Sequence, residues 1–171
     1  MSETLVTGDD PFPGGSFPLT GRPTVRVGYS IGQVTHHASN PEAQAKAVEL
    51  LHLAFHLGIT HFDTAQFYSN GLANELLRES FENRHDDILI ATKAGAKPAP
   101  GAPTPSEAAK KPSELRTAVE ENLRTLGTDW IDVVKLRRWT SPLGRSLPTT
   151  RSWRSRTSSP RWQLRADDFG K

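Results

Sequence analysis

Four short β-like segments separated by stretches of helical spacing predict an α/β protein built on a parallel sheet. The third of them, Ile88-Leu-Ile-Ala-Thr-Lys93, is an unbroken apolar run until its end, as a strand covered on both faces requires. Repeated strand-helix units close through right-handed crossovers, either as a doubly wound sheet or rolled into a (β/α)8 TIM-type barrel. A nucleotide-binding doubly wound sheet usually carries a glycine-rich turn after its first strand, and Gly28-Tyr-Ser-Ile-Gly32 is not G-x-G-x-x-G. The barrel is therefore the expected architecture, with about its first four strand-helix units present.

The elements follow in order. Met1 to Gly21 is rich in Gly, Pro and acids and reads as an arm or short hairpin, with Pro23 marking its end. Thr24 to Tyr29 alternates and is β-rich, which predicts the first strand. Asn40-Pro41-Glu42 supplies an N-cap, a first-turn proline and an early acid for a helix that runs through Ala47, Val48, Leu50, Leu51, Ala54 and Leu57 to Gly58. Ile59 to Thr64 is the second strand, and Leu72 to Phe81 the second helix, with Leu72, Leu76 and Leu77 on its apolar face. After the third strand, Ala94 to Pro112 is dense in Ala, Pro, Gly and Lys and is expected to form a loop that does not pack. Ser113 is the expected cap of a third helix through Leu115, Val119, Leu123 and Leu126, stopped by Gly127. Trp130 to Leu136 makes the fourth strand.

With 171 residues the chain is long enough for one domain with a sizeable core. It holds no cysteine, which removes disulfides, thiolate metal sites and cysteine nucleophiles and suits a cytoplasmic enzyme. The start MSETLVTGDD is acidic and polar where a signal peptide would be basic and then apolar, so none is expected, and no apolar run approaches the roughly 20 residues of a membrane span. The pI near 9.1 invites a nucleic-acid reading, so the location of the charge matters. Trp139 to Lys171 carries seven Lys and Arg against two acids, which leaves fourteen bases against seventeen acids for the rest. The body is slightly acidic and the basic character belongs to the tail, so neither nucleic acid nor a membrane is expected as a partner.

In a barrel the loops after the strands form the active face, so polar residues at strand ends are the candidates. Asp63 ends the second strand, Tyr68 lies in the loop after it, and Lys93 closes the third strand. Neighbouring parallel strands lie about 4.8 Å apart, which brings the three side chains within reach of one another. Such a trio suits proton donation to a carbonyl oxygen that is receiving a hydride. A phenol is a natural acid, an ammonium beside it favours its ionised form, and a carboxylate keeps that ammonium charged and oriented.

The run Gly58-Ile-Thr-His-Phe-Asp-Thr-Ala-Gln-Phe-Tyr68, followed by Gly71 and Glu75, resembles the pattern of the aldo-keto reductase family. Ala91-Thr-Lys-Ala-Gly95 resembles its lysine strand, and Thr128-Asp-Trp-Ile-Asp132 its entry into the fourth strand. The likeness runs from about Pro18 to Arg138, with the motifs in the family's order. It implies a (β/α)8 barrel, NADPH as hydride source, a small carbonyl substrate, and Asp63, Tyr68 and Lys93 as the matching members of a catalytic Asp, Tyr, Lys and His set. It further implies that Ser30, Ile31, Gly32 and Asp63 lie against the nicotinamide half of the cofactor. Asn74-Glu75 belongs to the family's helix start and is read as non-catalytic.

Two departures stand out. Where the family commonly has Leu-His-Arg, this chain reads Leu136-Arg137-Arg138, so Arg137 is the candidate for contacting the substrate carbonyl, set against a plain strand-end charge. After Arg138 the family continues with another helix and four strands, while residues 139–171 are crowded with Arg, Ser, Thr and Pro, hold three of the four tryptophans, and show no sustained period. Residues 1–138 are thus expected to be the N-terminal part of a reductase barrel and residues 139–171 an unrelated, irregular tail. A frameshift just after the fourth strand is the simplest origin for it. Activity of the chain itself is in doubt on this reading, and a non-catalytic fragment or interaction subunit built on a reductase barrel is the alternative. No metal site is expected. His52 and His56 share a helix face, but Leu53 stands where the zinc-protease motif needs Glu, and His36, His37 and His61 lack partners at ligand spacing.

Overall fold

The computed structural model describes residues 14–99 and 106–137. Strands β1 (Ser16–Leu19) and β2 (Arg22–Val25) form an antiparallel hairpin in which Ser16 pairs with Val25 and Phe17 with Thr24. The single strand expected over Thr24 to Tyr29 is therefore two elements. Its first residues complete the hairpin, and the parallel sheet begins only at β3 (Tyr29–Ser30). The hairpin sits at the amino ends of the sheet strands, where Arg22 donates to the Ile88 carbonyl at 3.3 Å and lies 3.6 Å from the Asp132 carboxylate.

A single helical turn, α1 (Gly32–Thr35), precedes α2 (Pro41–His56). Asn40 caps α2 as expected, its side chain accepting from the Ala43 amide at 2.9 Å. The chain continues through β4 (His61–Asp63), α3 (Leu72–Ser80) and β5 (Leu89–Ala94). The segment after β5 does pack, against expectation. Strands β6 (Ala96–Pro98) and β7 (Ser106–Ala108) form a second small hairpin, with Ala96, Ala99, Ser106 and Ala109 buried. Their side chains are small enough to sit close to the sheet, so low apolar bulk did not mean exposure.

The last helix, α4 (Pro112–Leu126), begins two residues earlier than expected. Lys111 is its N-cap, Pro112 occupies the first helical position, and the Glu114 carboxylate accepts from the Lys111 amide at 3.0 Å. Proline explains the shift, since its fixed φ favours the first turn and its missing N–H costs nothing there. Finally β8 (Val133–Leu136) is shorter than the predicted Trp130 to Leu136, because the Asp132 carboxylate takes the Ile90 amide at 2.8 Å in place of a backbone partner.

The sheet order is β3-β4-β5-β8, all parallel, so strands adjacent in sequence are adjacent in space. Phe62, Ile90 and Val134 project from one face into a layer with Ile31, Leu51, Leu76, Leu77, Phe81 and Leu126. Phe62 and Phe81 meet at a tilt of 48° with ring centroids 4.9 Å apart. The three long helices thus cover one face only, as in a (β/α)8 barrel, whereas a doubly wound sheet carries helices on both. By alternation the other face, lined by His61, Asp63, Lys93 and Lys135, is the inner one. Among the described residues no helix is long and apolar enough to cross a membrane.

Phe62 has no exposed surface and touches both the strands and α3. Replacing it by Ala should cost about 3 to 5 kcal/mol, measured by urea unfolding followed by circular dichroism.

Candidate active site

Register places the site. Asp63 of β4 lies opposite Ala91 of β5, so Lys93 stands one inward-facing position further along the same face. Its ammonium donates to Asp63 Oδ2 at 2.6 Å and to the Thr64 carbonyl at 2.9 Å, and lies 4.6 Å from the centre of the Tyr68 ring. The three residues expected to act together are therefore brought together at the carboxyl ends of the strands. The Lys93 and Asp63 side chains are 12% and 19% exposed, so the pair is screened far less than a surface one.

Tyr68 packs on Gly32, the first residue of α1. A Cβ there would fall 3.1 Å from a ring carbon of Tyr68, so a side chain at this position would require the ring to shift by a few tenths of an ångström. Phe67 meets the Tyr68 ring edge to face at 5.2 Å, and the Arg137 guanidinium lies 5.4 Å from the centre of the Phe67 ring. Arg137 thus stands at the rim of the site, linked to Tyr68 through one intervening ring.

Of the residues set against a cofactor, Asp63 is in the site and Ser30 is exposed at the end of β3. Ile31 differs: its side chain is wholly buried in the helix layer and its amide donates to the Asp63 carbonyl at 3.0 Å. It supports the floor of the site without facing it. Gly32 keeps that floor open beside Tyr68.

Lys135 is the site residue that sequence reasoning missed. On β8 it pairs in register with Lys93, and its ammonium reaches across β5 to bond Asp63 Oδ1. Ala91, small and almost wholly buried on the intervening strand, leaves room for that crossing. One carboxylate thereby holds two ammonium groups. The available signal was a lysine within an apolar strand, two residues before Arg137 and so on the same face.

His61 also faces inward, one pair of residues deeper than Asp63. Burial holds its imidazole below the ordinary value of 6.5, and the nearby Lys135 charge acts in the same direction, partly offset by Asp63 and Asp132. Burial raises Asp132 above the ordinary carboxylate range, partly offset by the Ile90 amide and Arg22. His52 and His56 serve structure: His52 meets the Ser80 carbonyl at 2.8 Å and His56 bonds back to the His52 carbonyl at 2.7 Å.

A one-sided, sequentially ordered parallel sheet with a Lys-Asp-Tyr cluster at its carboxyl ends is the arrangement of part of a (β/α)8 barrel, with the cluster on the face where such barrels carry their sites. The chain belongs to the aldo/keto reductase family, whose sequence model matches residues 28–144. Pyridoxine 4-dehydrogenase of Escherichia coli strain K12 is 36% identical over 124 residues, which is 71% of this chain and 43% of that protein. The chain therefore spans less than half the length of this curated relative. A solved aldo-keto reductase from Pseudomonas aeruginosa superposes with a TM-score of 0.62 at 27% identity, covering 79% of this chain and 50% of that one. One from Klebsiella pneumoniae, in complex with NADPH, shares the fold at a TM-score of 0.53 and 21% identity, covering 72% and 39%.

Two outcomes follow for stability. Asp63→Leu should cost roughly 3 kcal/mol because it strands two ammonium groups in a half-closed site, whereas Lys135→Met, at 41% side-chain exposure, should change stability by less than about 1 kcal/mol. Chemical denaturation of both variants checks the order. For His61 the folded state binds a proton less readily than the unfolded chain, so stability falls as pH drops below the unfolded value of 6.5. Between about pH 7 and pH 5 the thermal midpoint should fall less steeply in His61→Gln than in the parent chain. Asp132, with its raised value, acts in the opposite sense in parent and variant alike.

Proposed function

We propose that this chain is part of an NADPH-dependent oxidoreductase that reduces an aldehyde or ketone to an alcohol, with Tyr68 as proton donor. The observation that carries this reading is the Lys93 ammonium, bonded to Asp63 at 2.6 Å and lying 4.6 Å from the Tyr68 ring centre. The open floor at Gly32, the exposed Ser30 and the inward Asp63 are compatible with a nicotinamide beside Tyr68. NADPH would supply the hydride that the carbonyl carbon accepts.

The chain's own residues would handle the proton. As the carbonyl oxygen gains the electron pair of the breaking C=O bond, the Tyr68 hydroxyl gives it a proton. The phenolate left behind is stabilised by the Lys93 charge, which Asp63 keeps in place. Arg137, at the position of the family's histidine, has N–H donors suited to a carbonyl oxygen at the rim. Family members that carry this set work as whole barrels, and the described residues supply four strands. Turnover by the chain is accordingly part of the proposal. The absence of cysteine fits a reducing compartment, and we place the protein in the cytoplasm.

A second reading, a non-catalytic fragment or interaction subunit built on a reductase barrel, draws on the replacement of that histidine by Arg137. NADPH titration by fluorescence, followed by turnover against a panel of small aldehydes, separates the two. The proposal expects NADPH binding and turnover that drops about 100-fold or more in Tyr68→Phe, with cofactor binding kept. Binding without turnover in the parent chain would favour the second reading, and no binding at all would overturn both cofactor and activity.

A further inference from the structure

The loop that presents Tyr68 is strained, and a buried polar network that proton transfer does not use holds it. After Tyr68 the backbone enters the left-handed region three times in succession, at Ser69 (φ 47°), Asn70 (φ 55°) and Gly71 (φ 97°). Ser and Asn adopt such angles at a cost, so the conformation persists only where the surroundings over-determine it. The question is what does so here.

Thr64, Asn74, Thr92 and Asn122 are each completely buried in the layer between sheet and helices. Thr64 Oγ1 donates to Asn74 Oδ1 at 2.7 Å, and Thr92 Oγ1 donates to Asn122 Oδ1 at 2.6 Å. The two Asn74 amide hydrogens are shared among Asn122 Oδ1 at 3.0 Å, Thr125 Oγ1 at 2.9 Å and Gln66 Oε1 at 3.0 Å. Thr125 Oγ1 lies a further 2.8 Å from Gln66 Oε1. Where this network is fully buried, each lost partner leaves a polar group unsatisfied.

The attachments are what point beyond packing. Thr64 follows Asp63, Thr92 precedes Lys93, and by alternation both point away from the site, so the network grips the two site strands from behind. Gln66 lies two residues before Tyr68 and brings the network into the loop itself. On its other side the Gln66 amide packs against Gly71, where a Cβ would fall 2.9 Å from Nε2. One side chain thus ties both ends of the strained turn to the helix layer.

We infer that Gln66, held by Asn74 and Thr125, is a positioning residue that keeps the Tyr68 ring against the Lys93 ammonium. Its importance for the reaction rests on the proton-donor role proposed for Tyr68, but the positioning itself is measurable without cofactor or turnover. A network serving only to join α3 to α4 would leave the ring where it is when Gln66 is removed, because Asn74 keeps Thr64, Asn122 and Thr125.

The test is nuclear magnetic resonance of the full chain with carbon-13-labelled lysine. The Tyr68 ring current displaces the Lys93 ε-methylene signal upfield, and Tyr68→Leu identifies that displacement by abolishing it. Gln66→Ala should lose most of the displacement while circular dichroism retains the parent helix signal. Gln66→Glu, which keeps the acceptor oxygen, should recover it. Should Gln66→Ala not fold, Gln66→Met, which fills the volume without an acceptor, gives the same readout. Full displacement in Gln66→Ala or Gln66→Met, no recovery in Gln66→Glu, or no Tyr68-dependent displacement in the parent chain would each overturn the inference. Failure of NADPH to bind would count against the cofactor reading alone.

Discussion

The contact between Asp63 and Lys93 rests on the register of two parallel strands. With Asp63 opposite Ala91, both charged groups fall on the inner face, and Phe62 and Ile90, which pair with each other, fall on the outer one. A slip of one residue would send Lys93 into the helix layer and Ile90 out of it. The packing of Phe62 against Phe81 and of Ile90 under the helices therefore does more than stabilise the sheet. It sets which side of the sheet carries the charge, and the site inherits its geometry from the core.

Around that contact the inner face is rich in positive charge. Lys93 and Lys135 share one carboxylate, and Arg137 stands at the rim on Phe67. Asp63 is accordingly the anchor of the cluster: it bonds one ammonium through each oxygen. His61 beneath stays neutral near physiological pH because burial and the Lys135 charge both oppose its protonation. A deep neutral imidazole under two paired cations keeps the inner face from gathering still more charge.

Much of this was readable from the chain. The Asn40 cap, the leucine spacing of α3, the Gly127 stop and the apolar β5 are local signals, and each formed the element its pattern named. The motif around Asp63 and Tyr68 and the strand ending at Lys93 named three side chains that the structure brings together, because family motifs tie residue types to strand ends. Other features were beyond local pattern. The hairpin pairing that claimed Thr24 and Val25, the packed Ala-rich hairpin after β5, and Asp132 bonding Ile90 all depend on partners 7 to 42 residues away. Residues 1–13, the link 100–105 and the tail from 138 onward lie outside the described residues, so the tail expectation stands where the sequence left it.

The sequence by itself determined the order of strands and helices, the family, and the identities of Asp63, Tyr68 and Lys93, since these are written in short-range periods and contiguous motifs. Only the tertiary structure decided that the helices cover a single face, that Lys135 joins Asp63 across an intervening strand, and that Gln66 and Asn74 hold the strained Tyr68 loop. Those facts depend on which residues meet across the sheet, and register and burial are properties of the packed chain that no local stretch of it encodes alone.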